Sequence, residues 1–335
     1  MKAVVSARAA GLLLGFAADR TFGDPARYHP VAGFGRLAEA LEGRLYADSR
    51  ARGAAHTILL VGAAAGLGLA AQRHTTGPVK TTLATAAATW VVLGGRSLER
   101  EAAAVHTHLA LGDLAAARMQ VRRLVGRDTA ELDAAEISRA VVESVAENTS
   151  DAVIAPLAWG AVAGIPGLLG YRAVNTLDAM VGHRNARYER FGWAAARLDD
   201  AANLPGSRLS ALLVLIVAPR QAAAAWRAWR RDAAAHPSPN AGVVEAAFAG
   251  SLGIRLGGTN RYYGNRIEQR AVLGDGRAAR PGDIPAATAL ARRVGLGAIL
   301  VAAAVAGAVG GPVGSATLGA ATGRGRHSRS TQSPQ

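Results

Sequence analysis

Apolar segments recur along the whole chain, and they constrain its fold more than any other feature. They cover residues 4–18, 57–71, 82–95, 152–171, 209–218 and 286–321. Half of the residues are hydrophobic but only 5% are aromatic, because Ala, Gly, Leu and Val supply most of the apolar character. Small residues let helices pack closely inside a bilayer. We therefore predict an all-α fold, that of a polytopic helical membrane protein with cytoplasmic helical segments.

The segments predict a single membrane-embedded domain over residues 1–322 and a disordered basic tail over residues 323–335. A spanning helix needs roughly 20 apolar residues, so several segments are short, and we expect four to six crossings. Asp19 and Arg20 directly follow the first segment, which lacks a small-residue cleavage site. We interpret this segment as a retained membrane segment and not as a removable signal peptide.

Positive charge in short loops marks the cytoplasmic side of a membrane. Residues 20–52 and 96–127 are basic, whereas the turn over residues 72–80 carries fewer charges, which predicts a hairpin with both ends in the cytoplasm. A single crossing by the segment 152–171 would place the six Arg residues that follow it outside. The sequence Gly164-Ile-Pro-Gly instead favours a break and a re-entrant hairpin. We expect a cell-membrane protein whose active site lies on the cytoplasmic side.

The net charge is +14, and Arg carries nearly all of the positive charge. A GC-rich genome favours Arg and Ala codons and accounts for this composition; the alternative is a surface that attracts anionic lipid, phosphate or carboxylate groups. Trp226, Trp229 and the Arg residues beside them predict a helix at the membrane surface over residues 226–235. Nucleic acid is not an expected partner, because the sequence has no helix-turn-helix or zinc-finger signature. The absence of Cys excludes thiolate metal sites and Cys nucleophiles.

A first polar cluster lies at the end of a predicted helix. Glu143, Glu147 and Asp151 are four residues apart, so they share one face if the helix continues. Three like charges repel unless a cation or an Arg offsets them, and carboxylate oxygens are the ligands that Mg²⁺ prefers. The alternative is a solvated face on which Arg139 pairs with Glu143. The position favours a site, because Asp151 directly precedes an apolar segment, where an idle charge is costly.

A second cluster follows the apolar segment 152–171. Arg172, Asn175 and Asp178 are three residues apart and can line one face of a helix. Asp199 and Asp200 are adjacent and point in different directions on a helix, so at most one of them is expected to serve a given site. The alternative role for each Arg or Asn is helix capping or surface solvation.

A third cluster begins at His236 and includes Asn240. It continues with the Gly-rich stretch over residues 257–264, which contains Asn260 and Arg261. A Gly-rich turn can present backbone N–H groups to an anion. This stretch is not a Walker A loop, because no Gly-Lys-Ser/Thr follows it.

The order of these motifs is more specific than any one of them. The motifs are Asp19-Arg-Thr-Phe-Gly-Asp24-Pro25, His29-Pro30-Val31, Arg127-Asp128-Thr129, Glu143-Ser-Val-Ala-Glu147-Asn148, Ala173-Val-Asn-Thr-Leu-Asp178, Ala196-Arg197-Leu-Asp-Asp200 and Ser238-Pro239-Asn240-Ala241-Gly242. Together they resemble the CobD/CbiB family, the adenosylcobinamide-phosphate synthases of cobalamin biosynthesis, over about residues 11–310. The chain departs from the family pattern at His183, where Tyr is expected, and in a shortened run at Asn203-Leu204-Pro205. Neither departure falls within the motifs above.

The resemblance implies that a propionate of adenosylcobyric acid is joined to aminopropanol or aminopropanol phosphate by an amide bond. A free carboxylate must be activated before an amine attacks it, so ATP and Mg²⁺ are implied as well. Glu147 and Asp151 are the candidate Mg²⁺ ligands. The candidate catalytic residues are Glu143, Glu147, Asp151, Asn175, Asp178 and Asp199. The candidate substrate-binding residues are Asp24, His29, Arg127, Arg172, Arg184, Asn185, Arg197, Asn240, Asn260 and Arg261.

Two other functions compete with an enzyme. A non-catalytic membrane sensor or accessory protein of the same fold would leave the carboxylate clusters without a purpose. A transporter is expected to carry ionisable groups within its spans, whereas most of those in this chain lie at the ends of the apolar segments or between them. The enzyme is therefore favoured, with membrane lipid, adenosylcobyric acid and the amine as its partners.

Overall fold

The computed structural model of the protein describes residues 6–25, 29–183, 185–262 and 266–309. Its α-helices are α1 (Ala7–Phe22), α2 (Pro30–Leu45), α3 (Arg50–His74), α4 (Pro78–Val92), α5 (Gly95–Ala110), α6 (Leu114–Val121), α7 (Ala134–Thr149), α8 (Ala155–Ala163), α9 (Ile165–Val181), α10 (Trp193–Val217), α11 (Ala222–Asp232), α12 (Ala241–Leu252) and α13 (Asp283–Val309). A π-helical turn, Ser150–Ile154, joins α7 to α8, and short 3-10 turns cover Pro219–Gln221 and Ala233–Ala235. The strands are β1 (Ile254–Tyr262), β2 (Arg266–Leu273) and β3 (Arg277–Ala278). The tail that the sequence predicts over residues 323–335 lies outside the described residues.

Three of the described helices, α3, α10 and α13, are long and apolar enough to cross a membrane. Their outer faces expose large aliphatic side chains that suit contact with lipid, among them Ile58, Leu67, Ile216 and Leu300. The predicted class of a helical membrane protein is confirmed. The helices that match other apolar segments are shorter, with 16 residues in α1 and 15 in α4. The expectation of four to six crossings therefore stays a prediction.

Small residues let α1 and α4 lie against each other. Gly11 and Gly15 of α1 face Thr85 and Thr89 of α4, and a Cβ atom at either glycine would collide with the threonine opposite. Small residues four apart are the pattern by which helices approach closely within lipid. The small side chains that dominate the sequence thus allow the backbones of α1 and α4 to come into close contact.

The apolar segment 152–171 folds back on itself, as its sequence predicts. Gly164 ends α8 in a backbone conformation (φ 69°, ψ −145°) that glycine adopts readily and other residues avoid. On the two sides of this turn, Gly167 packs against the backbone of Trp159, and Leu168 lies against Gly160. The helices α8 and α9 therefore form an antiparallel hairpin. Whether the hairpin is re-entrant in the bilayer stays a prediction.

Helix α12 is the centre of the core, since every residue from Ala241 to Gly250 is buried. It packs against α7, α10, α11 and α13, and also against β1. Its neighbour α11 covers part of the stretch predicted to lie at the membrane surface. Ala225 and Ala228 of α11 face the core, while Trp226 is 44% exposed beside Arg230. This amphipathic division is the one that the sequence predicts, and its contact with lipid stays a prediction.

The stretch that the sequence suggests as a Gly-rich anion-binding turn lies, as far as residue 262, within strand β1, so the prediction of a turn was wrong. Gly257 and Gly258 both have positive φ, of 80° and 89°, and they form an irregularity in the antiparallel pairing of β1 with β2. A Cβ atom at Gly257 would collide with the carbonyl oxygen of Ala271 on the neighbouring strand. The glycines therefore permit a β-bulge where two backbones approach closely.

Replacing Gly164 with Ala is expected to lower the free energy of unfolding by about 1–3 kcal/mol, because alanine is strained in this backbone conformation. A Cβ atom there would also displace the Gln72 side chain, whose Oε1 accepts a hydrogen bond from the Ile165 N–H at 3.1 Å. Reversible denaturation in mixed micelles measures this change.

The matched control is Gly170→Ala, also in the hairpin, where a Cβ atom makes an ordinary contact with Ala65 at 3.5 Å. Alanine favours a helix over glycine by up to about 1 kcal/mol, so this variant should be as stable as the wild type or more so. Equal unfolding energies for the Gly164→Ala variant and the wild type would contradict the strained turn.

Candidate active site

Five carboxylates from four elements of the fold influence one another electrostatically. Asp151 is affected electrostatically by Glu147, Asp178 and Asp199. Asp200 acts in the same way on Asp178 and Asp199. Glu147 lies near the end of α7, Asp151 in the π-helical turn, Asp178 on α9, and Asp199 and Asp200 on α10. We call these five residues the carboxylate cluster.

The α8–α9 hairpin is what brings two of these parts together. The Tyr171 hydroxyl on α9 lies 2.9 Å from the carbonyl oxygen of Asp151 and 2.6 Å from Asn203 Oδ1, and it can donate to either. Asn203 in turn donates to Asp199 Oδ2 at 2.9 Å, and Asn175 Nδ2 lies 3.4 Å from Asp199 Oδ1. A chain of neutral hydrogen-bonding groups therefore orients Asp199 without cancelling its charge.

Burial and mutual repulsion both act on the cluster. Burial, followed by the charges of Asp200 and Glu147, raises the pKa of Asp178 to about 6. Burial and its three carboxylate neighbours raise the pKa of Asp151 well above its usual value. Desolvation and the charges of Glu143 and Asp199 raise the pKa of Glu147, although the residue is exposed, and Arg270 acts in the opposite direction. Such an arrangement favours a bound cation or a retained proton.

Arg172 on α9 supplies positive charge at the edge of the carboxylate cluster. It interacts electrostatically with Asp151 and with Asp24 from the N-terminal motif. Its Nη1 lies 3.5 Å from Asn175 Oδ1, a long hydrogen bond, and its Nε is buried without a partner among the described residues. Arg172 therefore keeps donor capacity for an anionic group of a substrate.

Glu143 has a different environment from Glu147, although the two are one helical turn apart. It is buried and lies 3.1 Å from Arg127 and 3.7 Å from Arg139, and Oε1 accepts the Gly257 N–H at 2.8 Å. Arg127 also donates to the buried Asn260. The Arg139–Glu143 pair of the alternative interpretation is present, but it lies on a buried face of α7 and not on a solvated one. The charge of Glu143 is satisfied within the protein, and its suggested catalytic role stays a prediction.

Several other candidate substrate-binding residues form no described contact with the carboxylate cluster. His29 accepts the Val31 N–H as the cap of α2, and Asn185 accepts the N–H groups of Arg187 and Tyr188 in a turn. Arg197 is exposed at the start of α10. Asn240, by contrast, is buried and donates to the carbonyl oxygen of Asp200 at 2.8 Å. Arg184 and the side chain of Arg261 lie outside the described residues.

Two residues near the site have no counterpart in the sequence prediction. Glu245 is 2% exposed on the core helix α12, and its Oε1 lies 3.9 Å from His236 Nε2. A single Glu in an otherwise apolar helix is a signal that sequence reasoning can use. Arg270 on β2 acts on Glu147, Glu245 and His236. No local pattern marks Arg270, because only the β1–β2 hairpin brings it to the site.

Glu147 and Asp151 fit Mg²⁺ only if the ion keeps most of its water ligands. In the part of the chain that the structure describes, no three His, Asp or Glu side chains are grouped so as to hold a metal ion. Mg²⁺, however, usually keeps several waters and binds through one or two carboxylates together with substrate phosphates. Burial and neighbouring carboxylates raise the pKa of Glu147 and of Asp151, and among the described residues neither side chain forms an ion pair. This pair therefore suits such an ion.

Comparison with known proteins covers the whole site. The sequence model of the family described as CobD/Cbib protein matches residues 12–291. A cobalamin biosynthesis protein CobD from Mycobacterium tuberculosis (strain CDC 1551 / Oshkosh) is 53% identical over 298 residues, which are 88% of this chain and 95% of that protein. Proteins of the same name are 45% identical over 284 residues in Chromobacterium violaceum (82% and 89% of the two chains) and 42% identical over 280 residues in Rhodobacter capsulatus (82% and 88%).

No solved structure matches the chain. The family match is nonetheless long enough to include every candidate residue from Asp24 to Arg261. The carboxylate cluster, Arg172 and the core helix that carries Glu245 all lie within it. On these grounds the chain belongs to the CobD/CbiB family.

Proposed function

We propose that the protein forms an amide bond in cobalamin biosynthesis, between a propionate of adenosylcobyric acid and the amine of aminopropanol or aminopropanol phosphate. The observation that carries the proposal is the carboxylate cluster beside Arg172, in a chain whose relatives are named cobalamin biosynthesis proteins. A protein that only sensed or carried a corrinoid would have no need to hold five mutually repelling carboxylates together.

The reaction needs an activated acyl group, because a carboxylate does not react with an amine directly. In the first step a propionate oxygen attacks the γ-phosphorus of ATP, which gives an acyl phosphate and ADP. In the second step the amine nitrogen attacks the acyl carbon, the C–O bond to phosphate breaks, and the products are the amide, inorganic phosphate and a proton. Arg172, with a buried Nε that has no described partner, would bind the anionic acyl phosphate.

The carboxylate cluster suits the amine, which arrives as an ammonium cation. The negative charge of Asp178 and Asp199 would hold the ammonium group, and a carboxylate must then take its proton before the nitrogen can attack. Asp178 has a pKa raised to about 6, which makes it a better proton acceptor near neutral pH than an ordinary aspartate. Asn175 and Asn203 would orient Asp199 through their hydrogen bonds.

Glu147 and Asp151 are the residues that would hold Mg²⁺, which supplies charge neutralisation for the transferring phosphoryl group. Arg184 and Arg197 remain candidates for phosphate or propionate groups. The proposal also includes a multi-pass location in the cell membrane with the site on the cytoplasmic side, where ATP is found. The alternative function is a non-catalytic sensor or accessory protein of the same fold.

Reconstitution tests the activity directly. Purified protein in lipid nanodiscs, supplied with adenosylcobyric acid, aminopropanol phosphate, ATP and Mg²⁺, is expected to give adenosylcobinamide phosphate, detected by mass spectrometry. Omitting ATP or Mg²⁺ should abolish product formation, and a parallel reaction with aminopropanol shows which amine is preferred. No product from a folded, lipid-supplied preparation would favour the sensor.

Neutral substitutions in the carboxylate cluster test the site. The changes Asp178→Asn and Glu147→Gln keep the shape of each side chain and remove its charge, and each is expected to lower kcat/KM by about 10²- to 10⁴-fold. Glu131→Gln is the control, because Glu131 is exposed in the turn before α7. Wild-type activity in both cluster variants would refute the site and leave the family membership intact.

Labelling of single cysteines tests the topology, and the chain suits this method because it contains no Cys. His183 follows α9 and Thr76 lies between α3 and α4, and both are exposed. A membrane-impermeant maleimide is expected to label the Thr76→Cys variant in intact cells, and the His183→Cys variant only after the membrane is opened. Labelling of the His183→Cys variant in intact cells would place the site on the outer side.

A further inference from the structure

We propose that Arg208, held in position by Asn240, forms a phosphate-binding subsite next to the carboxylate cluster. The inference rests on the proposed function, because that function names two phosphate compounds that could fill the subsite. The shared ligand chemistry is a phosphate group, either the monoester of aminopropanol phosphate or the polyphosphate of ATP.

Arg208 is held in place by buried neutral groups. Its Nη1 lies 2.7 Å from Asn240 Oδ1 and 2.8 Å from Ser207 Oγ. Ser207 is fully buried and Asn240 is 5% exposed. Asn240 is itself fixed, because its Nδ2 donates to the carbonyl oxygen of Asp200 at 2.8 Å. The guanidinium is therefore oriented in advance, and a ligand would not have to order a flexible arginine.

No negative charge compensates Arg208 in the part of the chain that the structure describes. Its hydrogen bonds go to an amide and a hydroxyl, and none of the described carboxylates forms an ion pair with it. A half-buried guanidinium with only neutral partners is costly unless an anion completes its surroundings. Nε and Nη2 form no described contact with an acceptor, so one edge of the guanidinium remains for a ligand.

The N-terminus of α12, which carries partial positive charge, lies beside Arg208. Asn240 directly precedes α12, whose 12 residues begin at Ala241. The N-terminus of a helix carries partial positive charge, which disfavours an arginine beside it unless an anion lies between them. Helix N-termini together with an arginine are a common setting for phosphate. Ser238 Oγ already accepts the N–H groups of Asn240 and Ala241, each at 3.2 Å, so the helix end contributes only the field of its dipole and Arg208 supplies the donors.

The position of Arg208 along α10 supports a functional role. Helix α10 is one of the three helices able to cross a membrane, and Arg208 lies in its interior. An ionisable side chain within such a helix is expensive to retain and usually marks a site. Asn203, on the preceding turn, binds Asp199 of the carboxylate cluster. A phosphate at Arg208 would thus lie close to the ammonium and Mg²⁺ positions proposed above.

Equilibrium binding to protein in nanodiscs tests the subsite without turnover. The probes are aminopropanol phosphate, unphosphorylated aminopropanol, a non-hydrolysable ATP analogue with Mg²⁺, adenosylcobyric acid and inorganic pyrophosphate, each titrated by calorimetry. The variant Arg208→Gln is expected to bind pyrophosphate and one of the two phosphate compounds about 10- to 100-fold more weakly, because charge-assisted hydrogen bonds are lost. Binding of aminopropanol should change less than about 2-fold, since it has no phosphate.

Each binding result for the Arg208→Gln variant has one interpretation. A loss confined to aminopropanol phosphate assigns the subsite to the amine, and a loss confined to the ATP analogue assigns it to the nucleotide. Wild-type affinity for all phosphate probes, or a loss for adenosylcobyric acid alone, overturns the proposal. Pyrophosphate separates the two hypotheses: if the protein makes no amide but binds pyrophosphate through Arg208, the proposed function fails and the subsite stands.

Two further variants guard against misfolding. Arg220→Gln makes the same chemical change at an exposed position just after α10 and should bind every probe as the wild type does. Asn240→Asp places a carboxylate against Arg208 and loses the bond that Nδ2 donates to Asp200, so pyrophosphate binding should be lost in the folded fraction of the variant, which gel filtration isolates. Unaltered pyrophosphate binding by a folded Asn240→Asp variant would also overturn the proposal.

Discussion

Repulsion among the five carboxylates is the constraint on which the rest of the structure depends. The carboxylates come from α7, the π-helical turn, α9 and α10, so their proximity is imposed by helix packing and not by local chain geometry. The buried core around α12 must offset that repulsion. Binding of a cation relieves it, because each bound positive charge interacts favourably with several carboxylates at once. A bound cation would therefore recover, as binding affinity, part of the energy that opposes folding at this place.

The groups around the cluster are of two kinds. Tyr171, Asn175 and Asn203 are neutral, so they fix positions and leave the negative charge of Asp199 available. Around Glu143, by contrast, two arginines and a backbone N–H satisfy the carboxylate completely. A neutral environment preserves reactivity, whereas a fully paired one contributes mainly to the attachment of the β1–β2 hairpin to α7. This contrast separates a chemically available carboxylate from a structural one more clearly than burial does.

Sequence reasoning succeeds where one local rule decides the outcome. The break at Gly164 follows from glycine and proline chemistry, and the helical membrane class follows from the apolar segments. Prediction from sequence fails where contacts between residues far apart in the chain decide the local structure. The glycines at 257 and 258 belong to a bulged strand because β2 pairs with them, and Arg270 reaches the site only through that pairing. The helical spacing of Glu143 and Glu147 is correct, but β1 and Arg127 give Glu143 a different environment, and spacing cannot reveal this.

Arg172 and Arg208 differ in how their charge is compensated, and under the proposed function this difference would set an order of binding. Arg172 lies within the field of Asp151 and Asp24, so an anion must compete with those carboxylates. Arg208 has only neutral partners among the described residues and is open to an anion from the start. A cation bound to the carboxylate cluster would draw Asp151 away from Arg172 and free its donors. It follows that a phosphate should reach Arg208 first, and that Arg172 gains affinity for an acyl phosphate only once the cluster is occupied.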